Sequence, residues 1–123
     1  MLALLLFLSM VTSDWQVYRD PSSGYTVEYP ADWSVDYGDS ETQFTSPSGR
    51  VGITIAVGDA YDNAGFACSA VEIGGLPAER CEDILTFSVW TTVLAGDRAF
   101  TIASSEKNFD GAAYEHVLET FSL

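Results

Sequence analysis

The sequence predicts an α+β fold in which a central antiparallel sheet of about six to seven strands carries a C-terminal helix packed on it. Three observations point there. Short runs of alternating apolar and polar residues recur along the chain, each bounded by Gly, Pro, Asn or Asp. The period lengthens only near the end, where Phe109, Ala113, Val117 and Phe121 are spaced by four and Tyr114 and Leu118 join the same stripe. Finally, 47% hydrophobic residues in a chain of 123, with three Trp, six Tyr and seven Phe, suffice to bury the core of one domain.

The elements follow in order. Residues 15–18 and 26–29 read as short strands joined by Asp20-Pro21-Ser22-Ser23-Gly24, where Pro fixes φ and Gly permits it to be positive. Residues 33–35 and 42–45 form a second hairpin around Asp36-Tyr37-Gly38-Asp39. Ser46-Pro47-Ser48-Gly49-Arg50 opens onto a strand over 51–57, in which Val51, Ile53, Ile55 and Val57 occupy alternate positions, so one face is buried. Asp59 could cap a short helix through Phe66, although Gly65 weakens it. Residues 70–73 and 78–84 flank Gly74-Gly75 as a hairpin with glycines at its tip, and 87–94 and 99–103 flank Ala95-Gly96-Asp97-Arg98. The final helix spans roughly 108–120, with Asn108 or Asp110 as its cap, and its apolar stripe should lie on the sheet.

Charge excludes some partners. Eighteen acidic residues against five basic ones give a net charge of −13, which repels nucleic acid and an anionic membrane surface. The carboxylates are spread along the chain, as in a salt-adapted host or simply an acidic secreted domain. One His and two Cys cannot complete a zinc shell without carboxylates, and no motif calls for a cofactor. Residues 1–11, M-L-A-L-L-L-F-L-S-M-V, have the length of a signal-peptide apolar region and fall short of the roughly 20 residues that span a bilayer. Val11-Thr12-Ser13 then suits cleavage before Asp14. No Lys or Arg precedes the run, so an uncleaved anchor, or a buried N-terminal strand or helix, is the alternative. The expected organisation is a leader over 1–13 and one domain over 14–123, placed outside the cytoplasm, secreted or at the cell envelope.

Few residues carry chemistry. Cys68 and Cys81 sit nearly symmetrically about Gly74-Gly75; in an exported protein they would form a disulfide across the hairpin, and in a reducing compartment two buried thiols. His116, beside Glu115 on the predicted helix, could act as a general base, which would make the protein a small hydrolase. It lacks a visible activated nucleophile, and a histidine on a helix flank is the plainer reading. The clusters Asp36-Asp39-Glu41 and Asp59-Asp62-Asn63 offer oxygen ligands to calcium, without the twelve-residue spacing of a calcium loop. Trp15, Trp33 and Trp90, with Tyr18, Tyr25, Tyr29 and Tyr37, serve either a core or an exposed binding surface. The loops around Tyr37 and Tyr61, where aromatic and acidic residues coincide, are the candidate binding surface.

One stretch is more specific. Tyr18-Arg19-Asp20 through Gly24-Tyr25-Thr26-Val27-Glu28-Tyr29-Pro30-Ala31-Asp32-Trp33 resembles the opening of PsbP-like domains, and the strand after Pro47, the turn Ile73-Gly74-Gly75-Leu76-Pro77-Ala78 and the closing Leu118-Glu119-Thr120-Phe121 agree with it in order. The resemblance covers nearly all of the chain after the leader. It implies a PsbP-like α/β/α sandwich around an antiparallel sheet, a scaffold whose members mostly act as non-enzymatic binding or assembly factors, many of them small envelope proteins. The sequence departs from it in being short and in having no Cys directly after the leader for lipid attachment. The expected function is an exported, non-enzymatic module that binds a protein partner at the cell envelope; the alternatives are a small hydrolase and a calcium-dependent envelope module.

Overall fold

In the computed structural model, which describes residues 14–59, 63–86, 88–104 and 110–123, the alternating runs become nine strands and the four-residue period becomes one helix. The strands are β1 (Trp15–Arg19), β2 (Thr26–Pro30), β3 (Ser34–Tyr37), β4 (Glu41–Thr45), β5 (Val51–Gly58), β6 (Ala67–Ile73), β7 (Leu76–Asp83), β8 (Ser88–Ala95) and β9 (Arg98–Ser104), and the helix is α1 (Gly111–Thr120). Seven strands make one antiparallel sheet in the order β3-β4-β5-β9-β8-β7-β6, while β1 and β2 pair separately as a hairpin. The sheet is thus two meanders, β3-β4-β5 and β6-β7-β8-β9, joined where β9 returns to lie beside β5.

Register divides the side chains between two faces. Phe44, Ile53, Ile55, Ile102, Phe100, Thr91, Val93 and Ala78 share one face and are buried. Helix α1 and the β1–β2 hairpin cover it. Ala113, Tyr114, Val117 and Leu118 of α1 are buried there, and Tyr25, wholly enclosed just before β2, stacks on Phe121 at 5.7 Å between ring centroids. Tyr114 anchors the helix by polar contacts too: its hydroxyl donates to the Ile102 carbonyl at 2.7 Å and receives a hydrogen bond from Thr91 Oγ1. Buried hydroxyls matched in this way cost little desolvation and fix one packing arrangement.

The ends of α1 are set locally. Asp110 is the N-cap and its carboxylate accepts from the Ala113 amide at 3.1 Å; residues 108 and 109 lie outside the described residues. After Phe121 the chain turns extended, and Ser122 exchanges two backbone hydrogen bonds with Thr26, tying the C-terminus to β2. The helix expected over 59–66 does not form in its described part. Residues 63–66 make a turn, with Gly65 at φ +93°, a conformation incompatible with a right-handed helix.

Candidate functional site

The second face of the sheet carries Gln43, Thr54, Ala56, Thr101, Ala103 and Trp90, which alternate with the core residues along each strand. The connection from β5 to β6 has to pass over β9, β8 and β7, about 19 Å at ordinary strand spacing. Its described part is anchored on this second face. Asn63 accepts from Trp90 Nε1 at 3.2 Å and donates through Nδ2 to Glu79 at 2.8 Å, while the Phe66 ring meets Trp90 edge-on at 4.9 Å. Residues 63–66 thus form a strap fastened to this face, and beside it lies a groove of about 820 Å³.

Small residues make the floor of the groove. Gly52, Thr54 and Ala56 of β5 lie beside Thr101 and Ala103 of β9, so the backbone is close to the surface there. Trp90 and Phe66 form an aromatic wall, and Glu41 and Gln43 of β4 form the facing wall. Glu41 is the one ionisable side chain among the described lining residues, and Gln43 Nε2 is 3.4 Å from its carboxylate. The groove offers shape, a π-face, and amide and hydroxyl groups, the usual composition of a site that holds a ligand in a fixed orientation. The sequence offers Trp90 as a core or surface aromatic and Asn63 as an oxygen donor for calcium, and neither reading brings the two together. Their partnership depends on residues 63–66 lying against β7 and β8, which local pattern does not encode.

The expected site residues are dispersed. Cys68 and Cys81 lie directly opposite each other in the β6–β7 register and are disulfide-bonded. Glu79 brings a carboxylate within 4.8 Å of both sulfurs, but sulfurs joined to each other are not thiolate ligands. Tyr37 is half exposed and its hydroxyl bonds Ser22 Oγ at 2.8 Å, linking β3 to the turn of the β1–β2 hairpin rather than lining the groove. Tyr61 lies outside the described residues. Among the described residues, Asp36, Asp39 and Glu41 do not bring three carboxylates within ligating distance of one another. Asn63, expected beside Asp59 and Asp62 as an oxygen donor, is committed to Trp90 and Glu79, and Asp62 lies outside the described residues.

His116 sits on the opposite, helix-covered side. Its Nε2 donates to Glu28 of β2 at 2.8 Å, and its ring stacks on Trp15 of β1 at 3.6 Å between centroids. The Thr120 hydroxyl next along α1 donates to the His116 carbonyl and accepts from the Glu28 amide. This set of contacts fastens the β1–β2 hairpin to α1. Asp20, 3% exposed, does comparable work at the other end of the hairpin. Burial alone would raise its pKa, but hydrogen bonds donated by the Ser23 hydroxyl, the Ser23 amide and the Tyr18 hydroxyl outweigh that and hold the carboxyl below its usual value.

No protein-family model and no curated protein matches the sequence. Solved structures do match. Cyanobacterial PsbP (CyanoP) from Synechocystis sp. PCC 6803 superposes with a TM-score of 0.64 at 13% identity, covering 90% of this chain and 93% of that one. A crystal structure from Bacteroides thetaiotaomicron VPI-5482 gives a TM-score of 0.56 at 17% identity over 89% of this chain and 48% of the other, so this chain spans about half of that protein. Identities this low speak to architecture alone. The two meanders, the separate N-terminal hairpin and the closing helix together make this a PsbP-like fold.

Proposed function

We propose that the protein is a non-enzymatic binding module that acts outside the cytoplasm, at the cell envelope, and holds a protein partner against the strap-bounded groove. The observation that carries this reading is the groove itself: a small-residue floor between an aromatic wall and a polar wall, on the face of the sheet opposite His116. Its equipment suits complementarity to a surface, and the imidazole with its carboxylate is engaged elsewhere. The Cys68–Cys81 disulfide supports an oxidising compartment, where such bonds persist.

The test is site-specific photo-cross-linking in the native host. A benzophenone side chain replaces Ala56 on the groove floor or, as the comparison, exposed Asp32. The expected result is one protein adduct from position 56, absent from position 32, recovered with the envelope fraction and with Cys68 and Cys81 still bridged. Equal labelling from both positions, or recovery with free thiols in the cytosol, overturns the reading.

A further inference from the structure

The two edges of the seven-stranded sheet are not alike. Strand β3 is four residues long and carries Asp36 near its middle. Strand β6 is seven residues long and pairs with β7 through seven consecutive positions without a register shift. Among the described residues nothing pairs with its outer side. The sequence Ala67-Cys68-Ser69-Ala70-Val71-Glu72-Ile73 contains no Pro or bulge and a single charged side chain, Glu72 near its end, so the features by which edge strands are ordinarily protected from adding another strand are nearly absent. Ala67, Cys68, Ser69 and Ala70 are all exposed and small, so another backbone can come close. The disulfide pins the strand to β7 at Cys68, which keeps this edge extended and ready to pair.

A cleft of about 330 Å³ adjoins this edge where β6 and β7 meet α1. Val71 and Ile73 of β6 and Leu118 of α1 give it apolar walls. Its charged groups are unbalanced. Arg80 pairs with Glu115 at 2.6 Å, with its guanidinium over the Tyr114 ring, whereas Glu119, also at the cleft, has no ion-pair partner among the described residues. A strand added beside β6 would direct alternate side chains towards α1, and the cleft suits a side chain with an apolar stem and a cationic head.

We infer that the β6 edge, together with the cleft under α1, takes an extended lysine-bearing segment of a partner protein by strand addition. Main-chain hydrogen bonds to β6 supply the affinity. The lysine stem against Val71, Ile73 and Leu118, with its ammonium at Glu119, supplies the selectivity. A second copy of this chain is the poorer occupant, because a net charge of −13 on each copy opposes their approach. This surface is separate from the groove on which the functional reading rests.

The experiment uses the disulfide-intact protein and a nine-residue peptide that alternates lysine with valine. Its comparisons are the same peptide with glutamate for lysine and one N-methylated at alternate residues. Calorimetry reads affinity and amide hydrogen exchange locates the contact. Expected are new protection of β6 amides with the lysine peptide, at least tenfold weaker binding of the N-methylated and glutamate peptides, and about fivefold weakening by the exposed substitution Glu119→Gln. Equal binding of the glutamate peptide, or protection of β6 that rises with protein concentration in the absence of peptide, overturns the inference. Contact confined to the groove around Thr54 and Trp90 also overturns it, while leaving the groove reading standing.

Discussion

Asp20 turns a local loop geometry into an acid sensitivity. Its carboxylate closes the Pro21–Ser23 turn and holds the Tyr18 hydroxyl at 2.8 Å, and it is nearly inaccessible to water. Because its pKa is lowered on folding, the folded state prefers the ionised form. The resulting stabilisation is full above the ordinary carboxylate value of about 4 and is lost as pH falls through the folded value. Asp20→Asn should therefore lower stability by about 1 to 3 kcal/mol at pH 7. Urea unfolding of both proteins between pH 7 and pH 2 should show that gap narrowing at the acid end; a constant gap would mean that the ionised form is not what the turn requires. The Asp20-Pro21-Ser22-Ser23-Gly24 string announces a turn in the sequence, but nothing in it announces burial. That arises from Tyr18, whose hydroxyl covers the carboxylate and reaches Thr42 of the second hairpin.

Among the elements, the β6–β7 hairpin shows how turn chemistry and tertiary packing act on one residue. Gly74 and Gly75 adopt φ +58° and +79°, the left-handed pair that a two-residue hairpin turn requires. Gly74 also faces the C-terminal segment, and a Cβ there would come within 2.6 Å of the Phe121 carbonyl oxygen. Gly74→Ala should thus cost the left-handed penalty of about 1 to 2 kcal/mol and a further displacement of the tail. Gly75→Ala, with open space around it, should cost the backbone penalty alone. Thermal unfolding of the two variants side by side checks this, and equal losses would count against the close approach. The hairpins, the alternating strands and the Asp110-capped helix could be read directly because each signal is local. The helix expected near Asp59 was not realised in residues 63–66, because positive φ at Gly65 and the ties from Asn63 to Trp90 and Glu79 favour a strap.

For the molecule as a whole, the packed tyrosines set the alkaline limit. Burial pushes Tyr18 and Tyr114 up to about 12 and Tyr25 higher still, with the Asp20 charge adding to the effect at Tyr18 and Tyr25. These groups favour the folded state fully below the unfolded tyrosine value of about 10, and that contribution is lost as pH rises through 12. Absorbance at 295 nm should show Tyr18, Tyr25 and Tyr114 ionising only in a cooperative step that coincides with loss of far-UV circular dichroism. A single smooth titration of all six, with structure retained, would contradict the packing described. The order in which the strands sit was beyond local reading, since β5 finds β9 across the whole second meander. The groove shares that origin, because its floor is the β5–β9 seam and its wall is the strap that the seam makes necessary. The same wiring governs how the chain folds. The sheet cannot close at its centre until β9 has been made, and the Thr26–Ser122 bridge joins residues from nearly opposite ends of the chain. Such distant pairings carry a large loop-closure cost, which puts folding in the millisecond-to-second range of β-rich proteins. During synthesis the second edge of β5 would therefore stay unpaired, and the two meanders separate, until β9 had emerged.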